Sequence, residues 1–186
     1  MKTYAGIGSR KTPQQIQDLM CAIATHLEQH NWTLRTGGAP GADQAFLRGT
    51  SRRTVYRPAN LQRVQASVSQ TAYQSVRDWH PATYKLSSIA RQLLARNYLI
   101  LFGDQETPQP VRFVLCWTPD SCLNQATRTP RSGGTGQTVC VAAAAQIPVF
   151  NLSIDAHRHW WQQQLQTATP ITPALIAYTH DMVLSP

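Results

Sequence analysis

TYAGIGSRKTP, residues 3–13, is the stretch that decides the expected fold. Its first five residues form a short, mainly apolar run that predicts a central strand, and residues 8–10 follow as a turn. Thr12 and Pro13 then supply an N-cap and a first helical residue. A strand that leads through a tight turn into a helix is the repeating unit of α/β sheets, so we expect this unit to begin one.

Hydrophobic periodicity continues this alternation along the chain. The predicted strands cover residues 3–7, 32–35, 54–56, 111–117 and 147–152, and the predicted helices cover residues 13–31, 62–79, 86–103, 138–145 and 159–165, with a short helix from about residue 42. This alternation predicts a Rossmann-like three-layer α/β/α sandwich with a mainly parallel sheet of about five strands. We expect a single domain over residues 1–186, with its core in about 1–152 and a C-terminal helix and tail in 153–186.

The composition is basic: 17 Lys and Arg residues stand against nine Asp and Glu residues, a formal net charge of +8. This excess favours an anionic partner without choosing between a nucleotide and a nucleic acid, and a basic composition without functional meaning is the alternative. The sequence shows no apolar run of membrane-spanning length and no secretory signal, so we expect a cytoplasmic protein that does not bind membranes.

Several common kinds of site are disfavoured by the sequence. The four cysteines form no CxxC pair and no His/Cys cluster has zinc spacing, so we predict no metal site and no disulfide framework. The chain has no GxGxxG motif after the first strand and no GxxxxGK[ST] motif, which argues against a nicotinamide dehydrogenase and a P-loop ATPase. We predict no bound cofactor.

Three glycine-rich turns follow, or closely trail, predicted strands. Ligands of open parallel sheets bind at the carboxyl ends of strands, where glycine lets backbone amides approach an anion and the next helix presents free N–H groups. Three such turns together favour a phosphate-bearing ligand over plain tight turns. The predicted binding residues are Gly8, Ser9 and Arg10 in the first turn, Gly37, Gly38, Ala39 and Asp43 in the second, and Gly133, Gly134, Thr135, Gly136 and Gln137 in the third.

Polar side chains beside these turns are further candidates. Arg10 could clamp a phosphate in a bidentate manner. Asp43 could accept a hydrogen bond from a ribose hydroxyl or could bond only the amides of its own loop. Thr118 and Asp120 follow the buried strand at residues 111–117, and Asp120 is either a ligand acceptor or a turn former. We include both in the predicted ligand site.

The segments YAGIGSRKTP, RTGGAPGADQAF, ARNYLILFG, FVLCWTPD and RSGGTGQTVCVAAAAQIPVFNL together resemble the SLOG superfamily. That group joins the Rossmann-like domain of DNA-processing protein A to the Lonely Guy phosphoribohydrolases. Within it, the chain is most similar to small stand-alone DprA-like proteins of phages and mobile elements. The resemblance covers most of the chain up to about residue 152, and it implies a Rossmann-like fold with a nucleotide or nucleic-acid ligand.

The match to the Lonely Guy motif PGGxGTxxE is partial. Ser132 stands at the Pro position, Gly133, Gly134 and Gly136 match, Gln137 replaces the Thr, and Cys140 occupies the position of the catalytic Glu. Arg96 resembles the arginine that those enzymes carry on a preceding helix. The resemblance therefore implies that the phosphate cradle is kept while the carboxylate is lost. An N-glycosidase acting on nucleoside monophosphates would need Asp43 or Asp120 instead, so the candidate catalytic residues are Arg96, Asp43 and Asp120.

DNA-processing protein A binds single-stranded DNA, and the resemblance implies basic residues near the glycine turns for that purpose. The basic candidates here are Arg10, Arg35, Arg96, Arg128 and Arg131. Single-strand binders add aromatic side chains on which bases stack. The aromatic candidates are Trp79, Trp117, Tyr4 and Tyr98, of which Trp117 lies at a strand end, while core packing is the favoured interpretation of the other three.

We therefore predict a protein that binds a nucleotide or nucleotide-derived phosphate ligand on its glycine-rich loops, as a sensor or sequestering module. A nucleoside-monophosphate N-glycosidase is the second alternative, and single-stranded DNA binding in recombination is the third. The helix at residues 86–101 has a broad apolar face, from which we expect a homodimer.

Overall fold

Residues 2–167 and 169–184 are described by the computed structural model, and their five short strands form one parallel sheet. The strands are β1 (Thr3–Gly6), β2 (Thr33–Thr36), β3 (Arg53–Val55), β4 (Val114–Cys116) and β5 (Val149–Asn151). Their order across the sheet is β3-β2-β1-β4-β5. Strands β2 and β3 are thus added on one side of β1, and β4 and β5 on the other. In open sheets of this kind, ligands bind beside the point where the strand order reverses, which here lies between β1 and β4. The predicted Rossmann-like α/β fold is confirmed.

Helices cover both faces of the sheet. They are α1 (Gln14–Gln29), α2 (Ala42–Gly49), α3 (Ala66–Trp79), α4 (Ser88–Phe102), α5 (Gly133–Ala144), α6 (Asp155–Gln164) and α7 (Pro173–Leu184). Short 3₁₀ helices occupy Pro58–Gln62, Thr83–Lys85 and Pro130–Ser132. Among these described helices, none combines the length and the apolar character that crossing a membrane would require.

Two hydrophobic clusters lie on opposite faces of the sheet because neighbouring strand residues point to opposite sides. In β1, Tyr4 belongs to the cluster formed with α1, α2 and α6, whereas Ala5 belongs to the cluster formed with α3, α4 and α5. The first cluster is rich in aromatic rings, and Phe113 contacts Tyr4 and Trp32 with ring centroids 5.5 and 5.0 Å apart. Burial on both faces explains why the sequence around β4 is almost continuously apolar.

Several helix starts differ from the sequence prediction, and those of α5 and α1 adjoin glycine turns. Helix α5 begins at Gly133, five residues before the predicted start, so the third glycine turn is itself the first turn of the helix. Glycine is a poor helix former, which hid this turn from a propensity argument. In α1 the N-cap is Pro13, since the Thr12 hydroxyl instead donates to the Ser9 carbonyl at 2.7 Å.

The C-terminal region also departs from the predicted tail. Helix α7 covers most of it, and Ile171 and Ile176 are buried in the aromatic-rich cluster together with Trp161 of α6. The Trp32 indole N–H donates to the Ile171 carbonyl at 3.0 Å. Residues 171 and 176 therefore contribute to the core on one face of the sheet.

Part of the apolar face of α4, from which we expect a homodimer, packs within the chain. Leu94, Leu99 and Leu101 are buried in the cluster with α3 and α5, whereas Ile89 near the start of the helix is 69% exposed. The homodimer remains a prediction.

Helices α1 and α2 pack closely at Gly49, where a β-carbon would lie 2.1 Å from the Cys21 carbonyl oxygen and 2.8 Å from Ala24 Cβ. By helix propensity alone, Gly49→Ala would stabilise the protein by up to about 1 kcal/mol. We expect the opposite, a loss of about 1–3 kcal/mol, because the obstacle is backbone. Urea unfolding of the variant measures the effect, and stability equal to or above that of the parent protein would contradict this packing.

Candidate functional site

A cleft of about 760 Å³ opens beside the switch point between β1 and β4. Its walls are the turn after β1, the start of α2, the inner side of α4 and the first turn of α5. The polar residues that line it are Ser9, Arg10, Lys11, Asp43, His80, Arg96, Asn97, Arg131, Ser132, Thr135 and Thr138. Leu93, Leu94 and Ile100 of α4 supply apolar surface. Four segments that are distant in sequence thus meet around one space.

The first two glycine turns touch each other because neither carries a β-carbon at the contact. A β-carbon at Gly41 would lie 2.7 Å from the Ser9 carbonyl oxygen, and one at Gly8 would lie 2.6 Å from Ala42 Cβ. Gly41 also has φ +85°, a conformation that favours glycine. The close approach brings Ser9 and the first turn of α2 to the same edge of the cleft.

The first turn of α5 presents backbone amides that no side chain caps. Ser132 is the N-cap residue, and a serine there would normally accept a hydrogen bond from the helix amides. Its hydroxyl instead donates to Asp120 Oδ2, which also accepts from the Thr129 hydroxyl at 2.5 Å. A β-carbon at Gly133 would meet no atom within 4 Å, so the space beside the amides is open. This end of α5, with its positive dipole, is suited to hold an anion.

Asp120 therefore accepts hydrogen bonds from the loop before α5. Burial tends to raise the pKa of Asp120, but the hydrogen bonds from Ser132 and Thr129 outweigh it and keep the pKa below its usual value. The carboxylate does not line the cleft. Of the two alternatives at this position, the hydrogen bonds match the turn former.

Arg96 carries the most unusual charge of the cleft. The residue is only 6% exposed, and neither its Nε nor its Nη1 donates a hydrogen bond to any described residue. Burial lowers the pKa of the guanidinium, an effect that the carboxylate of Asp43 opposes. A β-carbon at Gly37 would lie 1.3 Å from Arg96 Nη1, so the guanidinium occupies the space that a side chain would take. Unpaired donors in such a position are costly unless a ligand satisfies them.

Asp43 is the carboxylate whose charge acts on Arg96. It is 5% exposed and its Oδ2 accepts from the Ala39 amide at 3.2 Å. Burial raises the pKa of its carboxyl, while the Ala39 amide and the Arg96 charge act against that rise. The two side chains form no ion pair, since the only one among the described residues joins Arg158 to Asp155. Both line the cleft and both remain able to meet a ligand there.

The cleft contains some of the predicted site residues and not others. Those that line it are Gly8, Ser9, Arg10, Ala39, Asp43, Arg96, Gly133, Gly134 and Thr135. Those that do not are Gly37, Gly38, Thr118, Asp120, Gly136 and Gln137. Gly37 makes room for Arg96, and Gly136 does the same for Ser132, whose Cβ would be 2.3 Å from a β-carbon there. Thr118 is fully buried and its hydroxyl accepts from the Cys122 amide at 3.0 Å, so it holds a turn.

Sequence reasoning missed several polar residues of the cleft, namely Lys11, His80, Asn97, Ser132 and Thr138, and it named Arg131 only as a basic candidate for DNA binding. Lys11 and Arg131 are exposed, and His80 lines the cleft from the segment after α3. Burial, followed by the charge of Arg128, lowers the pKa of His80, which favours the neutral imidazole. The sequence prediction of the site rested on the glycine turns, and His80 lies outside all three of them.

Several candidates for nucleic-acid binding are engaged elsewhere. Arg35 is buried and donates to the Gln109 carbonyl at 2.7 Å, and Arg128 donates to the Trp79 carbonyl at 2.6 Å. Tyr4 is fully buried, in agreement with core packing. Trp79, Tyr98 and Trp117 are partly buried against the two hydrophobic clusters. Cys140, at the position of the Lonely Guy carboxylate, is 1% exposed and does not line the cleft.

The sheet order and the position of the cleft define a Rossmann-like α/β protein with a candidate anion site. A solved structure of DNA processing protein A from Helicobacter pylori, described for its single-stranded DNA binding mode, is similar with a TM-score of 0.53. The similarity covers 98% of this chain and 80% of that one at 16% sequence identity, and at such identity it shows the fold. No protein-family model matches the chain, and no curated protein matches it by sequence.

The contact between Gly37 and Arg96 can be tested by a double-mutant cycle. Gly37→Ala should lower the free energy of unfolding by about 1–3 kcal/mol, because the new β-carbon displaces the guanidinium. In an Arg96→Ala background the same substitution should be nearly neutral, since the obstacle is gone. Urea unfolding of the four proteins gives the coupling energy. Equal costs in both backgrounds would show that the guanidinium does not occupy this space.

Proposed function

We propose that the cleft binds a nucleotide, or a nucleotide-derived ligand, through its phosphate. The observation that carries the proposal is Arg96, whose buried Nε and Nη1 lack hydrogen-bond partners among the described residues. The open first turn of α5 lines the same cleft, so two independent anion-binding features face one space. The cleft volume of about 760 Å³ also lies within the range of small-molecule sites.

The other lining residues fit the remainder of such a ligand. The amides of Gly134 and Thr135 would hold phosphate oxygens together with Arg96, since the Gly133 amide already donates to the Pro130 carbonyl. The exposed Arg10 could add a bidentate contact. Asp43 could accept from a ribose hydroxyl. The apolar side chains of Leu93 and Leu94 could cover one face of a base. We propose that the protein works as a sensor or sequestering module for this ligand.

Hydrolysis is a weaker proposal than binding. An oxocarbenium-like transition state needs a nearby carboxylate, and Asp43 is the one carboxylate among the described residues that line the cleft. Its burial favours the neutral acid, which stabilises positive charge poorly. An N-glycosidase would therefore depend on Asp43 alone.

A thermal-shift screen of mononucleotides, ADP-ribose and cyclic dinucleotides tests the binding proposal, because a ligand specific for the folded state raises the unfolding midpoint. We expect Gly134→Val to abolish the shift, since the side chain would cover the α5 amides. Arg96→Gln should weaken binding by about 10- to 100-fold through the loss of charge-assisted hydrogen bonds.

Ala144→Val is the matched control, because it also introduces a valine, at an exposed position near the other end of α5. It should keep the shift of the parent protein. A folded Gly134→Val variant with unchanged affinity would refute the assignment of the phosphate to this helix terminus.

Single-stranded DNA in the same cleft is the second candidate. The observation in its favour is the exposed cationic rim formed by Arg10, Lys11 and Arg131. The structurally similar protein is described as a single-stranded DNA binder, and the net charge of +8 suits a polyanion.

Salt dependence separates the two candidates. A nucleotide held by one or two phosphates should bind with a log–log salt slope of about −1 or shallower, and we expect this result. Isothermal titration at several salt concentrations measures the slope. Failure of every mononucleotide to bind, with a steep slope for single-stranded DNA that Arg96→Gln weakens, would favour the second candidate instead.

A further inference from the structure

A second groove, of about 480 Å³, lies between α3 and the start of α4. The residues that line it are Tyr73, Val76, Arg77, Thr83, Tyr84, Ser88, Arg91 and Gln92. It shares no lining residue with the cleft. The segment from His80 to Gln92 contributes to both, so the two sites are neighbours on one side of the molecule.

Tyr84 is the most exposed large hydrophobic side chain of the described residues, with 81% of its surface accessible. Tyr84 lines the groove, and the Lys85 ammonium lies over its ring, 5.5 Å from the ring centroid. An exposed aromatic ring with a cation over one face has both parts of a stacking site, the other ring face for a nucleobase and a charge for its phosphate.

The charge of the groove is entirely positive among its lining residues, which include Arg77 and Arg91 and no carboxylate. Arg77 donates to Gln74 Oε1 at 2.9 and 2.5 Å, and neither Arg91 nor Lys85 forms an ion pair with a described residue. Like charge of this kind disfavours pairing with a second copy of the same surface and favours a polyanion.

We propose that this groove binds single-stranded nucleic acid, with one base stacked on Tyr84 and the flanking phosphates on Arg77, Lys85 and Arg91. A single strand rather than a duplex is required because only an unpaired base can lay its face on the ring. The groove is separate from the cleft, so the proposal does not depend on the ligand that the cleft takes.

Fluorescence anisotropy with a labelled oligothymidylate of about 20 nucleotides tests the proposal. Tyr84→Ala should weaken binding at least about fivefold, whereas Tyr84→Phe should retain it because the ring face remains. The double variant Arg77→Gln/Arg91→Gln should also weaken binding and should make the salt slope shallower by about 1.4, for two lost phosphate contacts at 0.7 each.

The matched control for charge is Arg48→Gln/Arg112→Gln, which removes two exposed arginines outside the groove. It should bind the oligonucleotide more tightly than the groove variant does. The Tyr84 effect should be the same in a Gly134→Val background, which keeps the result independent of the cleft.

Three results would overturn the proposal. If Tyr84→Ala binds as tightly as Tyr84→Phe, no base stacks on the Tyr84 ring. If the groove double variant loses no more affinity than its control, net charge alone accounts for the loss and the groove is not the binding site. A duplex of equal length could bind as tightly as the single strand with the same dependence on Tyr84, which would exclude base stacking.

Discussion

The guanidinium of Arg96 occupies the space beside Gly37 that any other residue would fill with a β-carbon. This contact joins α4 to the loop after β2 and fixes one wall of the cleft. A buried charge with unpaired donors costs folding free energy, so the surrounding structure has to provide that stability through its two hydrophobic clusters. The cleft is therefore built around a guanidinium whose Nε and Nη1 have no hydrogen-bond partner among the described residues.

The first turn of α5 forms another wall of the cleft. The Ser132 hydroxyl, which would normally cap this helix, donates to Asp120 instead, so no side chain caps the helix amides. Both walls thus leave hydrogen-bond donors free where an ordinary protein surface would satisfy them. Because strand order reverses between β1 and β4, these two sets of donors come together at one edge of the sheet.

The cleft and the groove differ in the kind of contact that they offer. The cleft offers buried donors in fixed directions, which suits one or two phosphates of a small ligand. The groove offers an exposed ring with cationic side chains around it, which suits a single strand. The segment that connects α3 to α4 borders both sites, so a change in its position on binding at one site would reach the other.

The sequence by itself determined the Rossmann-like class and the position of most turns, because period-2 and period-3.6 patterns and glycine clusters are local signals. It also predicted Ser9, Asp43 and Arg96 as site residues, and all three line the cleft. Only the tertiary structure decided three other features. Gly37 leaves space for the Arg96 guanidinium, Asp120 accepts a hydrogen bond from Ser132, and α5 starts at Gly133. The tertiary structure also exposed Tyr84 while it buried Tyr4. These outcomes depend on which segments meet in space, and a one-dimensional pattern carries no information about contacts between distant residues.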